Sequence, residues 1–178
     1  MEYTIDEHKH RFAAWAASRA ASVKGCRFSV EQGKKVLEAA GMRKLISDPN
    51  NLPLPECMDA THQQWRHSVI NAAMAEGLNF THGVAAKLIN VYLKAGFVCG
   101  GHHGHERVRA VHPPIDSLLL DELYSKNVGG RRTVWIEARR IRFSKFDSDQ
   151  YERVIEAICE AMQEAALWEV EQYWPGYQ

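Results

Sequence analysis

The chain has 178 residues, of which 46% are apolar and 25% charged, and its formal net charge is zero. This length suits one domain, and the composition excludes fibrous, disordered and disulfide-rich classes. No apolar run in the sequence approaches the ~18–20 residues of a membrane helix, so no membrane partner is expected. We therefore predict a single helical domain over residues 1–178.

The N-terminal segment and the cysteines indicate a reducing compartment. Residues 1–7 are acidic and lack the basic start of a signal peptide. The four cysteines are scattered, with no CxxC pair, which is typical of reduced thiols. We expect a cytoplasmic protein without an obligate protein partner, and the sequence does not fix its oligomeric state.

Charge is distributed unevenly along the chain. Residues 82–145 carry eleven Lys and Arg against five Asp and Glu, whereas residues 147–178 carry one Arg against eight acids. Because nucleic-acid binding depends on local fields, the middle of the chain is a candidate DNA-binding surface. Two solvated helix faces of opposite charge would give the same pattern.

Helical spacing and capping signals dominate the whole sequence, and no stretch alternates with the period of a strand. Ser29 with Gln32 predicts a capping box, and Gly129-Gly130 predicts a chain break. Residues 98–112 are rich in Gly and His and are predicted as a loop, as are residues 47–56. The predicted helices cover residues 5–23, 30–40, 59–77, 84–95, 114–125, 131–142 and 149–164, with a short aromatic segment at 167–174.

The predicted helix 84–95 is apolar at almost every position except Lys87, Asn90 and Lys94. A helix that is apolar on most sides is largely buried. Lys87 would lie near the positive end of this helix, where both the helix dipole and burial disfavour its charged form. Those conditions favour a nucleophilic amine, although an isolated lysine more often extends its charged end to solvent.

The segment from Pro113 to Leu120 places Asp116 among apolar neighbours at the predicted start of the next helix. A carboxylate in a first helical turn is often only a stabilising group. In a buried neighbourhood, an aspartate can also stay ionised by accepting backbone N–H groups. Asp116 is therefore a candidate reactive group.

Two segments together resemble the helix–hairpin–helix DNA glycosylases. Residues 80–87 (FTHGVAAK) resemble the hairpin and catalytic lysine of that superfamily, and residues 112–117 (HPPIDS) resemble the segment that bears its aspartate. The 29 residues from Lys87 to Asp116 are closest to the archaeal 8-oxoguanine DNA glycosylase branch. The chain departs from the family pattern at Ala85, in place of the second hairpin glycine, and at His82, in place of the usual proline.

The resemblance implies an all-α, compact, multi-helix orthogonal bundle in which residues 78–123 hold the hairpin, the lysine helix and the aspartate helix. It implies a base-excision enzyme of DNA repair that needs no cofactor and binds DNA. In such an enzyme, Lys87 would attack the sugar of an extruded nucleotide as a glycosylase and lyase, and Asp116 would assist. The base or lesion recognised is not specified.

Further residues are expected around this pair. The candidate substrate-binding residues are His82, Asn90, Tyr92, His112 and Trp135, with Trp15 and Trp65 as further candidates for lining a pocket. The candidate contacts to the DNA backbone are Gly83, Lys94, Arg131, Arg132, Arg139, Arg140, Arg142 and Lys145.

Two alternatives remain open from the sequence. The first is a catalytically inactive nucleic-acid-binding or interaction module of the same fold. The second is a metal-binding protein, possible in principle because Cys99, His102, His103 and His105 are zinc-ligand types. No second well-spaced pair completes that set, so no metal is predicted.

Overall fold

The computed structural model describes residues 3–176 of the chain, and within that range it is helical without a named strand. Its only strand-like pairing there is an isolated bridge between Val23 and Cys26. The α-helices are α1 (Ile5–Ala21), α2 (Val30–Ala39), α3 (Met58–Ala75), α4 (His82–Leu93), α5 (Glu106–Arg109), α6 (Ser117–Ser125), α7 (Arg132–Ile141) and α8 (Ser148–Met162). A π-helical segment, Lys94–His102, continues α4, and a 3₁₀ helix, Leu167–Tyr173, follows α8.

Two apolar clusters form the interior, and α4 contributes to both. The first unites α1, α2, α3 and most of α4, including Leu88 and Leu93. The second unites α6, α7, α8 and the 3₁₀ helix with Ala86 of α4. Because α4 lies between them, ten of its twelve residues are buried.

Local signals place several helix ends where the sequence predicts them. Ser29 and Gln32 form the expected capping box at the start of α2, and Gly41 follows that helix with a φ of 78°. Asp147 caps α8 through a second capping box with Gln150. These ends depend on adjacent residues, which is why the sequence is sufficient to predict them.

The prediction of a loop over residues 98–112 is wrong for much of that range. The helical path of α4 continues to His102, and α5 forms within the same predicted loop. The continuation is fixed by packing, because a Cβ at Gly96 would overlap the Ile46 side chain. The close approach of these two elements is a tertiary contact that the Gly-rich composition does not reveal.

The helical segment His82–His102, which has a left-handed kink at Gly101, is long and apolar enough, by length and composition, to cross a membrane. The sequence analysis overlooked it because the helix was predicted to end near residue 95. In the structure, 67% of its most apolar window is buried inside the protein. That burial is typical of a central core helix.

The helix predicted to begin at Pro113-Pro114 begins at Ser117 instead. Asp116 is its N-cap, with extended backbone, and is not a residue of its first turn. Aspartate is among the preferred N-cap residues because its carboxylate accepts a free backbone N–H. The two prolines therefore form the extended approach to α6.

Helix α1 packs on the core through its small side chains. Its buried positions include the small residues Ala13, Ala14 and Ala17, which allow close packing against α4. By contrast, Phe12 and Trp15 are 57% and 51% exposed. The two largest apolar side chains of α1 thus lie outside the core.

Candidate functional site

Lys87 and Asp116 lie side by side although 29 residues separate them. The Lys87 Nζ donates a hydrogen bond to Asp116 Oδ2 at 3.1 Å. Lys87 is only 8% exposed, on the second turn of α4, and Asp116 is half-buried at the start of α6. The pair therefore joins the central helix to the element that follows the proline segment.

Three elements hold the Asp116 carboxylate. Its Oδ1 accepts the backbone N–H of Leu119 at 2.9 Å, which is the cap of α6. Its Oδ2 accepts the indole N–H of Trp174 at 3.0 Å in addition to the Lys87 amine. A carboxylate that accepts this many hydrogen bonds is fixed in position.

The surroundings of Lys87 make its amine easier to deprotonate. Burial lowers the pKa of Lys87 below its ordinary value, and the nearby Asp116 charge opposes this shift without reversing it. The Phe143 ring lies beneath the amine, with its centroid 4.5 Å from Nζ. A buried, hydrogen-bonded amine with a lowered pKa is the arrangement that nucleophilic lysines require.

Both members of the pair open on one cavity of about 270 Å³. Its apolar wall includes Phe12 of α1, Pro114 and Trp174. This volume is near the lower end of small-ligand sites, which run from roughly 300 Å³ upwards. The cavity therefore offers two aromatic side chains, Phe12 and Trp174, beside a buried amine.

A second ion pair lies in the same cavity. Lys94 and Glu171 form a hydrogen-bonded pair there, and the Lys94 amine lies 5.6 Å from the centroid of the Trp174 ring. Burial raises the pKa of Glu171, and Lys94 opposes that shift. Lys94 was predicted to contact the DNA backbone, but the structure places it in the cavity wall beside Lys87.

Two of the predicted substrate-binding residues belong to a buried polar network away from the cavity. Asn90 Nδ2 donates to the Pro113 carbonyl and to the Tyr151 hydroxyl, both at 2.9 Å. The His112 ring shares hydrogen bonds with Tyr151 at 3.1 Å and with Asp59 at 2.8 Å. Neither side chain lines the Lys87 cavity, because each is turned into the packing between α3, α4 and α8.

The other three predicted substrate-binding residues also form hydrogen bonds away from the cavity. His82 accepts from Arg66 at 3.3 Å, and the buried Tyr92 hydroxyl bonds His10 at 2.8 Å. Trp135 is fully buried in the second core and donates its indole N–H to Val128. Of the further aromatic candidates, Trp65 is partly buried against the first core and Trp15 is exposed, so neither lines the cavity.

Gly83 does not present a free backbone N–H to a DNA phosphate. Its N–H donates to the Phe146 carbonyl at 3.2 Å, and the residue is buried. A Cβ there would overlap the Phe143 carbonyl oxygen. The glycine of this hairpin therefore permits close packing of residues 143–146 against α4, and its predicted contact to DNA is not available in this conformation.

The predicted basic surface, on α7 and the residues that follow it, is exposed, but some of its side chains already form ion pairs. Arg131 pairs with Glu160, and Arg139 pairs with Asp121 while its guanidinium stacks on Tyr124. Arg132 also lies over the Tyr124 ring. Four exposed side chains of this set form no ion pair within residues 3–176: Arg132, Arg140, Arg142 and Lys145.

The Cys/His segment does not assemble into a metal centre. Within residues 3–176, no three His, Cys, Asp or Glu side chains are grouped so as to hold a metal ion. His105 caps α5 by accepting from Arg107, whereas His102 packs on Phe97 and His103 on Trp168. Cys99 lies apart from these rings, at the edge of the Lys87 cavity.

A larger cleft of about 550 Å³ lies over the polar network, between α3 and α8. His112 and the fully buried Arg66 line it, with their carboxylate partners Asp59 and Glu152. Burial lowers the pKa of His112 in spite of Asp59. Because these groups already satisfy one another, the cleft presents paired charges and no nucleophilic amine.

The cavity residues that the sequence analysis missed come from the two ends of the described chain. Phe12 was given no role by the sequence, and Glu171 and Trp174 belong to the segment 167–174, which was predicted only as a short aromatic segment. The high aromatic content of residues 167–174 was the available signal, but it carries no information about what the segment contacts. No protein-family model, curated protein or solved structure matches this chain.

Proposed function

We propose that this protein is a DNA base-excision glycosylase with an associated lyase activity. The observation that carries the proposal is the 3.1 Å contact between the Lys87 amine and the Asp116 carboxylate at the wall of an aromatic-lined cavity. The chemistry needs a lysine, an aspartate and a cavity. The residues that supply them come from separate segments of the chain. The resemblance of the two sequence segments to helix–hairpin–helix glycosylases supports the same assignment.

The chemistry assigns one role to each member of the pair. Asp116 accepts a proton from the Lys87 ammonium, and the neutral amine attacks the anomeric carbon of the nucleotide sugar. A bond forms between Nζ and C1′, while the C1′–N bond to the base breaks and the base leaves with the electron pair and takes up a proton. The sugar ring then opens to a Schiff base, and loss of a C2′ proton expels the 3′ phosphate.

The cavity fits an extruded base better than an intact base pair. Enzymes that act on a base extrude the nucleotide, stack it on aromatic side chains and read its edges by hydrogen bonds. Phe12 and Trp174 offer the stacking surfaces, while Lys94 and Glu171 offer a donor and an acceptor for the edge. Discrimination between bases would arise at that second pair.

The basic residues are suitably placed to contact the sugar–phosphate backbone. Phe143, which lies under the Lys87 amine, is flanked by the exposed Arg142 and is followed two residues later by Lys145. Cationic side chains near the site would neutralise phosphates and position the strand. The reacting sugar and its flanking phosphates would then contact adjacent parts of one surface.

Borohydride trapping on duplex DNA that contains one abasic site tests this proposal, because the abasic aldehyde reacts with the lysine whatever base the enzyme prefers. We expect the protein to form a covalent adduct and Lys87→Gln to form none. Lys126→Gln is the matched control, since Lys126 is an exposed lysine paired with Glu122.

Base release from a panel of damaged and modified duplexes would then identify the substrate. Tight binding of the abasic duplex with no adduct would contradict the enzyme and favour the inactive DNA-binding module.

A further inference from the structure

A chain of hydrogen bonds begins in the cleft between α3 and α8. The Asp59 side chain is 77% exposed there, and its carboxylate bonds the buried His112 ring at 2.8 Å. The ring also bonds the Tyr151 hydroxyl at 3.1 Å, and that hydroxyl bonds the Asn90 amide at 2.9 Å. Within the described part of the chain, this cleft and the Lys87 cavity share no lining residue. The chain of bonds therefore starts at a second surface of the protein.

The other end of this chain of bonds reaches the residues before Asp116. Asn90 bonds the Tyr151 hydroxyl with one amide hydrogen, and it donates the other to the Pro113 carbonyl at 2.9 Å. Residues 113–116 form the extended approach to α6, which ends at the Asp116 cap. A change at the Tyr151 hydroxyl is thus two hydrogen bonds away from the backbone that positions the aspartate.

The direction of each bond is fixed by groups that only donate or only accept. Arg66 only donates, so the His62 Nδ1 that lies 3.0 Å from it carries no proton. His62 Nε2–H therefore donates to the Asn90 amide oxygen at 2.7 Å. The Asn90 N–H groups must then donate to the Pro113 carbonyl and to the Tyr151 oxygen.

These directions require a neutral His112. Because the Tyr151 oxygen accepts from Asn90, its own proton is directed at His112 Nδ1, and His112 Nε2–H donates to Asp59. A second proton on the ring would occupy Nδ1 and face the Tyr151 proton. Tyr151 would then lose its acceptor in a buried place, which costs free energy. Protonation of His112 therefore breaks the chain of bonds at this hydroxyl.

The surroundings of His112 place its protonation on the acid side of neutrality. Burial lowers the pKa of His112 below its ordinary value, and the Asp59 charge opposes this shift. Burial, with the charges of His112 and Arg66, lowers the pKa of His62 well below its ordinary value. His112 is thus the ring of this network that takes up a proton first as the pH falls. The titratable and charged groups that face it from α3 and α8 are Asp59, His62, Arg66, Tyr151 and Glu152.

We propose that Asp59, His112 and Tyr151 form a pH-sensitive relay. While His112 is neutral, the relay holds Asn90, and through it residues 113–116, at their distance from Lys87. Once His112 is protonated, the relay loosens that segment and slows the reaction. A protonated histidine acts in this way when it shifts an element between two arrangements. This inference rests on the proposed function, because the site that is regulated is the Lys87–Asp116 pair.

The test compares two buried tyrosines in similar surroundings. Tyr151→Phe removes the hydroxyl of the relay and keeps the ring. Tyr92→Phe is the matched control, because the Tyr92 hydroxyl also bonds a buried histidine, His10, at 2.8 Å. His10 in turn bonds the carboxylate of Glu38 at 3.0 Å, so the control loses the same kind of bond outside the relay.

We expect urea unfolding to show similar losses of stability in the two variants. The rate of borohydride trapping on the abasic duplex should fall about tenfold in Tyr151→Phe, because the pair is misplaced. In Tyr92→Phe it should stay near the wild-type rate. Equal trapping rates in the two variants would overturn the relay.

The pH dependence of trapping tests the role of His112 directly. Protonation of Lys87 slows the wild-type reaction about tenfold per pH unit, and we expect a further loss of about tenfold below roughly pH 6.5, the ordinary histidine pKa. His112→Asn keeps an acceptor for Tyr151 and does not titrate, so it should show only the first loss. If the further loss persists in His112→Asn, the relay is wrong.

An exposed variant tests the relay even if the buried variants do not fold. Asp59→Asn keeps an acceptor for the His112 N–H but removes the charge. Because that charge raises the pKa of His112, its removal should move the further loss to lower pH. An unchanged pH profile in Asp59→Asn would contradict the relay.

A small-molecule probe separates the relay from the glycosylase assignment. If wild-type protein traps the abasic duplex and the two tyrosine variants trap it equally, the relay is wrong and the proposed function survives. If wild-type protein forms no adduct, the proposed function is wrong, and the relay is measured by reductive ethylation of Lys87 with acetaldehyde and cyanoborohydride, followed by peptide mass spectrometry. Slower labelling in Tyr151→Phe than in Tyr92→Phe would support the relay, and equal labelling would reject it.

Discussion

Asn90 ties the helix that carries Lys87 to the segment that carries Asp116. Its side-chain amide donates to the Pro113 carbonyl at 2.9 Å, and it lies three residues after Lys87 while Pro113 lies three residues before Asp116. The Asn90 Oδ1 also bonds the His62 ring at 2.7 Å. This fully buried amide therefore sets the distance between two groups that it does not itself touch.

We predict that Asn90→Ala loosens the Lys87–Asp116 pair and lowers both stability and activity. Leaving buried partners unsatisfied costs about 1–3 kcal/mol, which urea unfolding would measure. The rate of borohydride trapping should fall about tenfold to a hundredfold, as expected for a misplacement near 1 Å. Asn71→Ala, at an exposed position of α3, is the control. If Asn90→Ala is destabilised but is trapped by borohydride at the wild-type rate, the amide has no positioning role.

We predict that Asp116→Asn separates the charge of this residue from its capping role. Both Asp116→Asn and Asp116→Ala remove the charge beside the buried Lys87 amine, but asparagine still caps α6, so Asp116→Ala should be less stable than Asp116→Asn by about 1 kcal/mol. The trapping rate of Asp116→Asn should fall about 10²-fold to 10⁴-fold, because the proton acceptor is lost. Asp121→Asn, which removes an exposed carboxylate paired with Arg139, is the control.

The pH dependence of the same variant has a defined sign. Only the neutral amine attacks, so the rate rises with pH until the pKa of Lys87 is passed. The Asp116 charge raises that pKa, and its removal should move the rising limb of the pH–rate profile to lower pH. An unchanged profile in Asp116→Asn would mean that Lys87 is not the titrating nucleophile.

We predict that Gly83→Ala destabilises the protein although alanine favours helices. A Cβ at this position would overlap the backbone of Phe143, which cannot move as a side chain can. Overpacking of this kind costs about 1–3 kcal/mol, measurable by urea unfolding. Gly104→Ala is the matched control, because a Cβ there would meet nothing within 4 Å. Equal stability of the two variants would disprove the packing role assigned to Gly83.

We predict that Arg142→Gln and Lys145→Gln each weaken DNA binding and make the binding constant less dependent on salt. Each phosphate contact contributes about 0.9 to the slope of log K against log salt, so each neutralised contact should reduce the slope by about that amount. Fluorescence anisotropy between low and moderate salt would measure it. The exposed Lys35, on α2, provides a control in Lys35→Gln. A slope that stays at the wild-type value in both variants would place the phosphates on another surface.

Local sequence information was sufficient for most helices and for their caps, and insufficient for the wall of the cavity. The helical repeat correctly puts Lys87 and Lys94 on one line, since seven residues return to within about 20° of the same direction. Asn90, about 60° away, was grouped with them but faces the buried network. A small rotation about the helix axis decides whether a side chain faces the cavity or the core, and residue spacing in the sequence does not resolve such a rotation.

The aromatic residues show the same limit. Trp135 fills the second core, whereas Trp174 bonds Asp116. Which of them reaches the cavity depends on how the 3₁₀ helix packs, and that packing involves residues far apart in the chain. The resemblance of the lysine and aspartate segments to a known superfamily says nothing about this segment.

The hydrogen bond from Trp174 to Asp116 also has a consequence for synthesis in the cell. A nascent chain in which α4 and α6 have left the ribosome already contains the Lys87 amine and the Asp116 carboxylate. It does not yet contain the Trp174 indole that donates a hydrogen bond to that carboxylate. Ribosome-bound and prematurely released chains would therefore lack an organised site.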